Sequence, residues 1–290
     1  MSDRERARRH PPTVHYFEHD GEHLAYEVFG EGDRLLVYTH GLLLDSKINR
    51  GLAQALADRG NRVVLLDLLG HGNSTKPRRA AEYRIDLYVE QVLALLDELG
   101  EDQAVLGGLS LGANVSLLAA ATAPDRVRGL VLEMPVLERA APSVALFFVP
   151  LLLFLHYGRP VTNAMTGFVR HLPRTGFGPL DSVIDAGSLD PSQIAAVLHG
   201  VLLGPVSPTE EQRKSIKVPV LVLAHRADLI HPFDDAHALV DTVPDGTLVR
   251  ARSPVELRLR PDRLTEEIAT FLDAIHRGGT RLSATPRAAS

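Results

Sequence analysis

The segment of this 290-residue chain best suited to chemistry is Gly108-Leu109-Ser110-Leu111-Gly112. It places a serine two residues from a glycine on each side, between an apolar run and a helix-forming run, which is the pattern of a nucleophile elbow. The reason is steric. The turn is tight and the serine backbone strained, so a side chain at either flanking glycine would collide. The serine then projects above a sheet at the N-terminus of a helix, and the Leu111 amide points where an oxyanion would form. Such a serine attacks acyl carbon, but its hydroxyl stays protonated and is a weak nucleophile without a base. The chain has no cysteine, which excludes thiol nucleophiles, disulfides and thiolate metal sites. The base is therefore sought among the thirteen histidines.

The surrounding elements must put these residues together. Residues 13–19 and 23–29 alternate as strands around Asp20-Gly21, a hairpin signal. Residues 35–39 and 63–66 are continuous apolar runs, suited to strands covered on both faces. Helices are expected at 48–58, 85–99 and 114–123, and strands at 104–106 and 129–132. The alternation predicts a doubly wound, mostly parallel sheet. It breaks after Glu133-Met134-Pro135 and resumes with strands at 218–224 and 248–251 and helices at 233–243 and 261–276. The domain reading is an α/β core over 13–134 and 208–277, interrupted by a helical cap over 135–207. A disordered arm over 1–12 and a disordered tail over 278–290 complete it.

Composition narrows the partners. The net charge of −5 gives no general attraction to nucleic acid, and 45% hydrophobic residues suffice for a large core. The basic run Arg4, Arg6, Arg8 and Arg9 reads as a solvated arm. The polar start lacks the apolar core of a signal peptide, so a cytoplasmic protein is expected. The most apolar run, residues 144–155, is too short to span a bilayer and is interrupted by Pro150, so no stable membrane insertion is expected. No cofactor or metal is called for. A monomer or homodimer is expected.

With the elbow in this context, the chain resembles the α/β-hydrolase superfamily over nearly its whole length. The resemblance rests on His40-Gly41 after the third strand, Asp67-Leu68-Leu69-Gly70-His71-Gly72-Asn73-Ser74 after the fourth, the Ser110 elbow, and Asp228 after the 218–224 strand. It implies an eight-stranded sheet with a cap and is nearest the capped esterase and lipase group. It also implies that Leu42, following His-Gly, supplies the second oxyanion amide beside Leu111, and that Asp228 stands at the position of the family's acid. Serine rather than aspartate at the elbow argues against the haloalkane dehalogenase and epoxide hydrolase branches.

The chain departs from the family at the histidine, which belongs in the loop before the final helix. Here that loop reads Ala251-Arg252-Ser253-Pro254-Val255-Glu256-Leu257-Arg258-Leu259-Arg260-Pro261, with Pro254 nearest the expected position. His231 is the best replacement. It lies three residues after Asp228, at the carboxyl end of the strands, where open α/β sheets place their sites. Asp228 or Asp234 would orient it, or Glu133, whose buried carboxylate in Leu-Glu-Met-Pro needs a partner. The expected arrangement is a displaced triad of Ser110, His231 and either Glu133 or Asp228. The bland alternative is a loop histidine bonded locally. His156, His171 and His199 in the cap are further candidates. Glu256 reads either as a carboxylate base or, more simply, as a cap with Arg258 or Arg260.

The run from Val144 to Leu155 is apolar on every side, which implies burial or contact with something apolar. Phe147, Phe148 and Leu151 are the candidate lining of a substrate pocket; cap packing and a dimer face are the alternatives. Three functions follow. One is a serine hydrolase acting on an apolar ester through an acyl-serine. Another is a catalytically impaired relative that binds a hydrophobic small molecule. The third is another cofactor-free reaction that uses the oxyanion hole. Fold alone does not choose among them.

Overall fold

The structure, a computed structural model, describes residues 12–204, 206–226 and 228–278. The arm called over 1–12 and the tail called over 278–290 lie almost wholly outside the described residues. In chain order the elements are β1 (Val14–His19), β2 (Glu22–Phe29), β3 (Leu35–Thr39), α1 (Arg50–Ala57), β4 (Arg62–Asp67), α2 (Ile85–Glu98), β5 (Ala104–Leu109), α3 (Leu111–Thr122) and β6 (Val127–Glu133). The cap helices follow: α4 (Ala141–Tyr157), α5 (Arg159–Arg170), α6 (Gly178–Gly187) and α7 (Pro191–Leu203). The chain then returns through α8 (Glu210–Lys214), β7 (Val220–Ala224), α9 (Phe233–Thr242), β8 (Gly246–Arg250), α10 (Glu256–Leu259) and α11 (Asp262–His276).

The eight strands form one sheet in the order β1-β2-β4-β3-β5-β6-β7-β8. The β1–β2 and β2–β4 pairs are antiparallel and the rest parallel. Strand side chains alternate between two cores. Leu35, Val37, Leu106, Leu130 and Val222 face α2, α3 and α9. Leu36, Tyr38, Val105, Val131 and Leu223 face α1 and α11. Burial on both faces explains why these strands read as unbroken apolar runs.

Sequence boundaries mostly agree. The helix after the elbow begins at Leu111 rather than 114, because Ser110 itself ends the strand and starts the helix. The cap is tied to the core at both ends by one buried residue. The Asn114 amide donates to Val136 O and Val206 O, both at 2.7 Å, and its oxygen accepts from Val136 N at 2.9 Å. Buried Asp235 on α9 accepts the amides of Leu137, Arg139 and Ala140, fixing the lead-in to α4.

Candidate active site

Ser110 joins β5 to α3 with φ 52° and ψ −104°, a left-handed-side conformation that costs a non-glycine residue about 1–3 kcal/mol. Its amide donates to Glu133 O at 2.8 Å, which holds the turn against β6. The flanking glycines are required by contact. A Cβ on Gly108 would lie 2.5 Å from the Gly112 carbonyl carbon, and one on Gly112 would lie 2.6 Å from Thr39 O. The two sides of the turn touch each other and β3, leaving no room for a methyl group.

His231 Nε2 lies 2.9 Å from Ser110 Oγ, and His231 Nδ1 lies 2.9 Å from Asp228 Oδ2. An ionised carboxylate can only accept, so Nδ1 carries the proton and Nε2 offers its lone pair to the serine hydroxyl. The acid and the ring sit on one tight turn. Asp228 Oδ1 accepts the amides of Ile230 at 2.8 Å and His231 at 3.0 Å, so the carboxylate folds the loop and orients the ring at once. Burial by itself would raise the Asp228 pKa. The His231 hydrogen bond and charge, with the two amides, outweigh it and hold the carboxyl well below the usual carboxylate range.

The structure corrects the alternative in which Glu133 is the acid. Glu133 Oε1 and Oε2 accept from Arg258 at 2.8 and 2.9 Å, and Oε2 also accepts from the Tyr38 hydroxyl at 3.0 Å. Arg258 in turn donates to Asn49 Oδ1 at 2.9 Å. A buried carboxylate needs a partner, as the sequence required, but the partner is an arginine from the loop that lacks the family histidine. Asp234 forms no hydrogen bond or ion pair with His231; its carbonyl accepts from Arg139. Glu256 is a loop cap, accepting the Arg252 amide and an Arg263 Nε–H. His156, His171 and His199 are exposed on the cap.

One further neighbour of the acid, His225, follows β7 and is not among the candidates the sequence singles out. The ring is buried, and Nε2 lies 3.0 Å from Asp228 Oδ2, the oxygen that also meets His231. Its N–H is not aimed at that oxygen, and neither ring nitrogen completes a hydrogen bond with a described residue. A histidine six positions before the base, at the end of β7, was the available signal.

Leu42 and Leu111 flank the serine at the His-Gly turn and the helix start. Neither amide donates a hydrogen bond to another described residue, which leaves both N–H groups available. Leu43 adopts φ 64°, and buried His40 accepts the Leu68 amide, so the turn carrying Leu42 is held by the adjoining loop. Leu42 also packs in a small apolar cluster with Phe148, Leu151, Leu155, Ile194 and Leu198. Phe148 and Leu151 pack inward against this cluster. Phe147 does not: it is 44% exposed and outside this cluster. A helix apolar all round shows no inner face in its sequence.

Comparisons with known proteins agree with the fold. Residues 34–218 match the model of the alpha/beta hydrolase fold. The chain is 44% identical over 107 residues to an acetyltransferase component of the acetoin cleaving system of Pseudomonas putida, covering 36% of this chain and 28% of that one. It is 34% identical over 110 residues to a haloalkane dehalogenase of Mycolicibacterium paratuberculosis, covering 37% of this chain and 36% of that one. The chain thus matches about a third of the length of these curated relatives. Among solved structures, the enol-lactonase of Burkholderia xenovorans aligns with a TM-score of 0.72 at 22% identity, over 89% of this chain and all of that one. An esterase of Thermogutta terrifontis aligns at 0.69 and 22% identity, over 91% and 99%. At such identities the likeness is one of fold. On its sheet, its elbow and the matched family model, the chain belongs to the alpha/beta hydrolase fold family and has hydrolases among its relatives.

Proposed function

We propose that the protein is a serine hydrolase of carboxylesterase or lipase type that cleaves apolar acyl esters. The observation that carries this reading is the contact of His231 Nε2 with Ser110 Oγ at 2.9 Å while Asp228 holds the opposite ring nitrogen. His231 takes the serine proton as Oγ attacks the ester carbonyl. The amides of Leu42 and Leu111 stabilise the oxyanion of the tetrahedral intermediate. The intermediate collapses, the alcohol leaves with the proton from His231, and an acyl-serine remains. Water, activated by the same histidine, then releases the acid. The acyl chain lies against Phe148 and Leu151, which favours apolar substrates.

The dehalogenase relative acts on a different bond. A serine does not simply substitute for the aspartate of such enzymes. An alkyl-serine would be an ether that water does not cleave, whereas an acyl-serine is an ester that it does. The chemistry of Ser110 therefore supports acyl rather than alkyl transfer. The test is intact-mass analysis after exposure to a fluorophosphonate. A rapid adduct on the parent, lost in both Ser110→Ala and His231→Ala, is expected. A folded parent that stays unlabelled overturns the proposal and points to a binding protein instead.

A further inference from the structure

Helix α5 is amphipathic in the wrong sense for a helix packed on a protein. Val161, Met165 and Phe168, spaced i, i+4 and i+7, form one stripe, and Phe168 is 69% exposed. Thr162 and Thr166 are the residues buried on its inner side. Helix α4 extends the outward apolar face with Leu146, Leu153 and Tyr157, and Leu146 is 72% exposed. The segment 138–157 is long and apolar enough to cross a membrane by length and composition, yet only 11% of its most apolar window is buried. Large apolar surfaces of this kind mark an interaction site.

Charge selects the occupant. Residues 141–180 contain Arg159, Arg170 and Arg174 and no acidic residue, in a chain whose net charge is −5. Arg174 is paired with Asp185, while Arg159 and Arg170 form no ion pair with a described residue. An apolar stripe bordered by cations matches an anionic lipid surface. A second copy fits less well, because a twofold contact would bring these arginines together with no carboxylate of the segment to meet them. Insertion across a bilayer would strip Phe148, Leu151 and Leu155 from Leu42, Ile194 and Leu198.

We propose that the outer face of α4 and α5 docks flat on an anionic lipid surface. This binding is independent of the hydrolase reading. One side of α4 would then meet lipid while the other packs on Leu42, so, on the proposed function, an apolar substrate could pass from lipid to site without crossing bulk water.

Co-sedimentation with vesicles tests this, using the full chain carrying Ser110→Ala so that turnover plays no part. Vesicles of phosphatidylcholine and phosphatidylglycerol in equal parts should bind the protein, and phosphatidylcholine alone should bind it at least tenfold more weakly. Met165→Ser with Phe168→Ser should weaken binding at least tenfold, and Arg159→Gln and Arg170→Gln roughly fivefold each, since each removes one surface cation. These side chains are exposed, and unchanged thermal unfolding confirms that the variants fold. No binding to either vesicle overturns the proposal. Equal binding to both overturns the charge argument. A homodimer dissociated by the Met165/Phe168 variant, without vesicle binding, assigns the face to a second copy.

Discussion

Two loops at the carboxyl end of the sheet differ in what they do with charge. The loop from β7 to α9 packs an acid and a base into one turn: Asp228 and His231 are three residues apart and bonded through both backbone and ring. The loop from β8 to α11 carries no histidine. It sends Arg258 inward to Glu133 and Asn49 and closes on itself through Glu256. Under the proposed function, the difference teaches that the base is defined by where its ring ends, not by which loop carries it. Any turn that brings Nε2 to Ser110 and Nδ1 to a carboxylate suffices. The loop relieved of that duty is then free to become structural.

The comparison breaks most directly at His231. His231→Ala and Ser110→Ala should each lower ester kcat/KM by a factor on the order of a thousand to a million. The double variant should fall no further than the worse single one, because the two act as a unit. Steady-state hydrolysis of a short-chain ester measures this. Additive losses would mean the residues work separately and that the 2.9 Å contact is not catalytic.

The two carboxylates should separate next. Asp228→Asn should cost on the order of a thousandfold or more in kcat, since an amide no longer fixes the ring tautomer. Glu133→Gln should leave the rate per folded molecule within about tenfold but cost about 3–5 kcal/mol of stability, by stranding buried Arg258. Denaturant melts and active-site titration distinguish them. Acid stability offers a second reading of Asp228. Its folded pKa is depressed, so its stabilisation is complete above the unfolded value of about 4 and is lost as pH falls through the folded one. Asp228→Asn should flatten that acid-side loss. If Glu133→Gln abolishes the rate at unchanged stability, the roles are reversed.

His225 sharpens the picture within the first loop. Asp228 Oδ2 faces two rings, and His225, at 3.0 Å without a completed hydrogen bond, is expected to steady the carboxylate by packing beside it. His225→Asn should lower kcat several-fold with KM unchanged. A stability loss with unchanged kcat would make His225 simply a packed core residue.

How much of this was legible follows from how local each signal is. The elbow, its glycines, Asp228 and His231 are readable because their constraints act within a few residues: a steric turn, or a carboxylate and a ring on one bend. The Glu133–Arg258 pair spans 125 positions and depends on a register that no local pattern encodes. Only the need for some partner was visible. The orientation of α4 was hidden for a different reason. A uniformly apolar helix has no preferred face, so Phe147 and Phe148 look alike until the cap is placed over Leu42.

The smallest expected effect is the most exacting test of the comparison. Pro254→His in the His231→Ala background returns a histidine to the loop that lacks one. Pro254 borders a small hollow with Glu133, Met134, His225, Ser253 and Leu257. A ring placed there would find Glu133 already committed to Arg258 and Tyr38, while Asp228 remains tied by its own turn and faced by His225. Without a carboxylate to set the tautomer, the new ring should stay within about tenfold of His231→Ala. Recovery approaching the parent rate would show that orientation by a carboxylate is dispensable here, and that either loop can carry the base without rebuilding the charges around it.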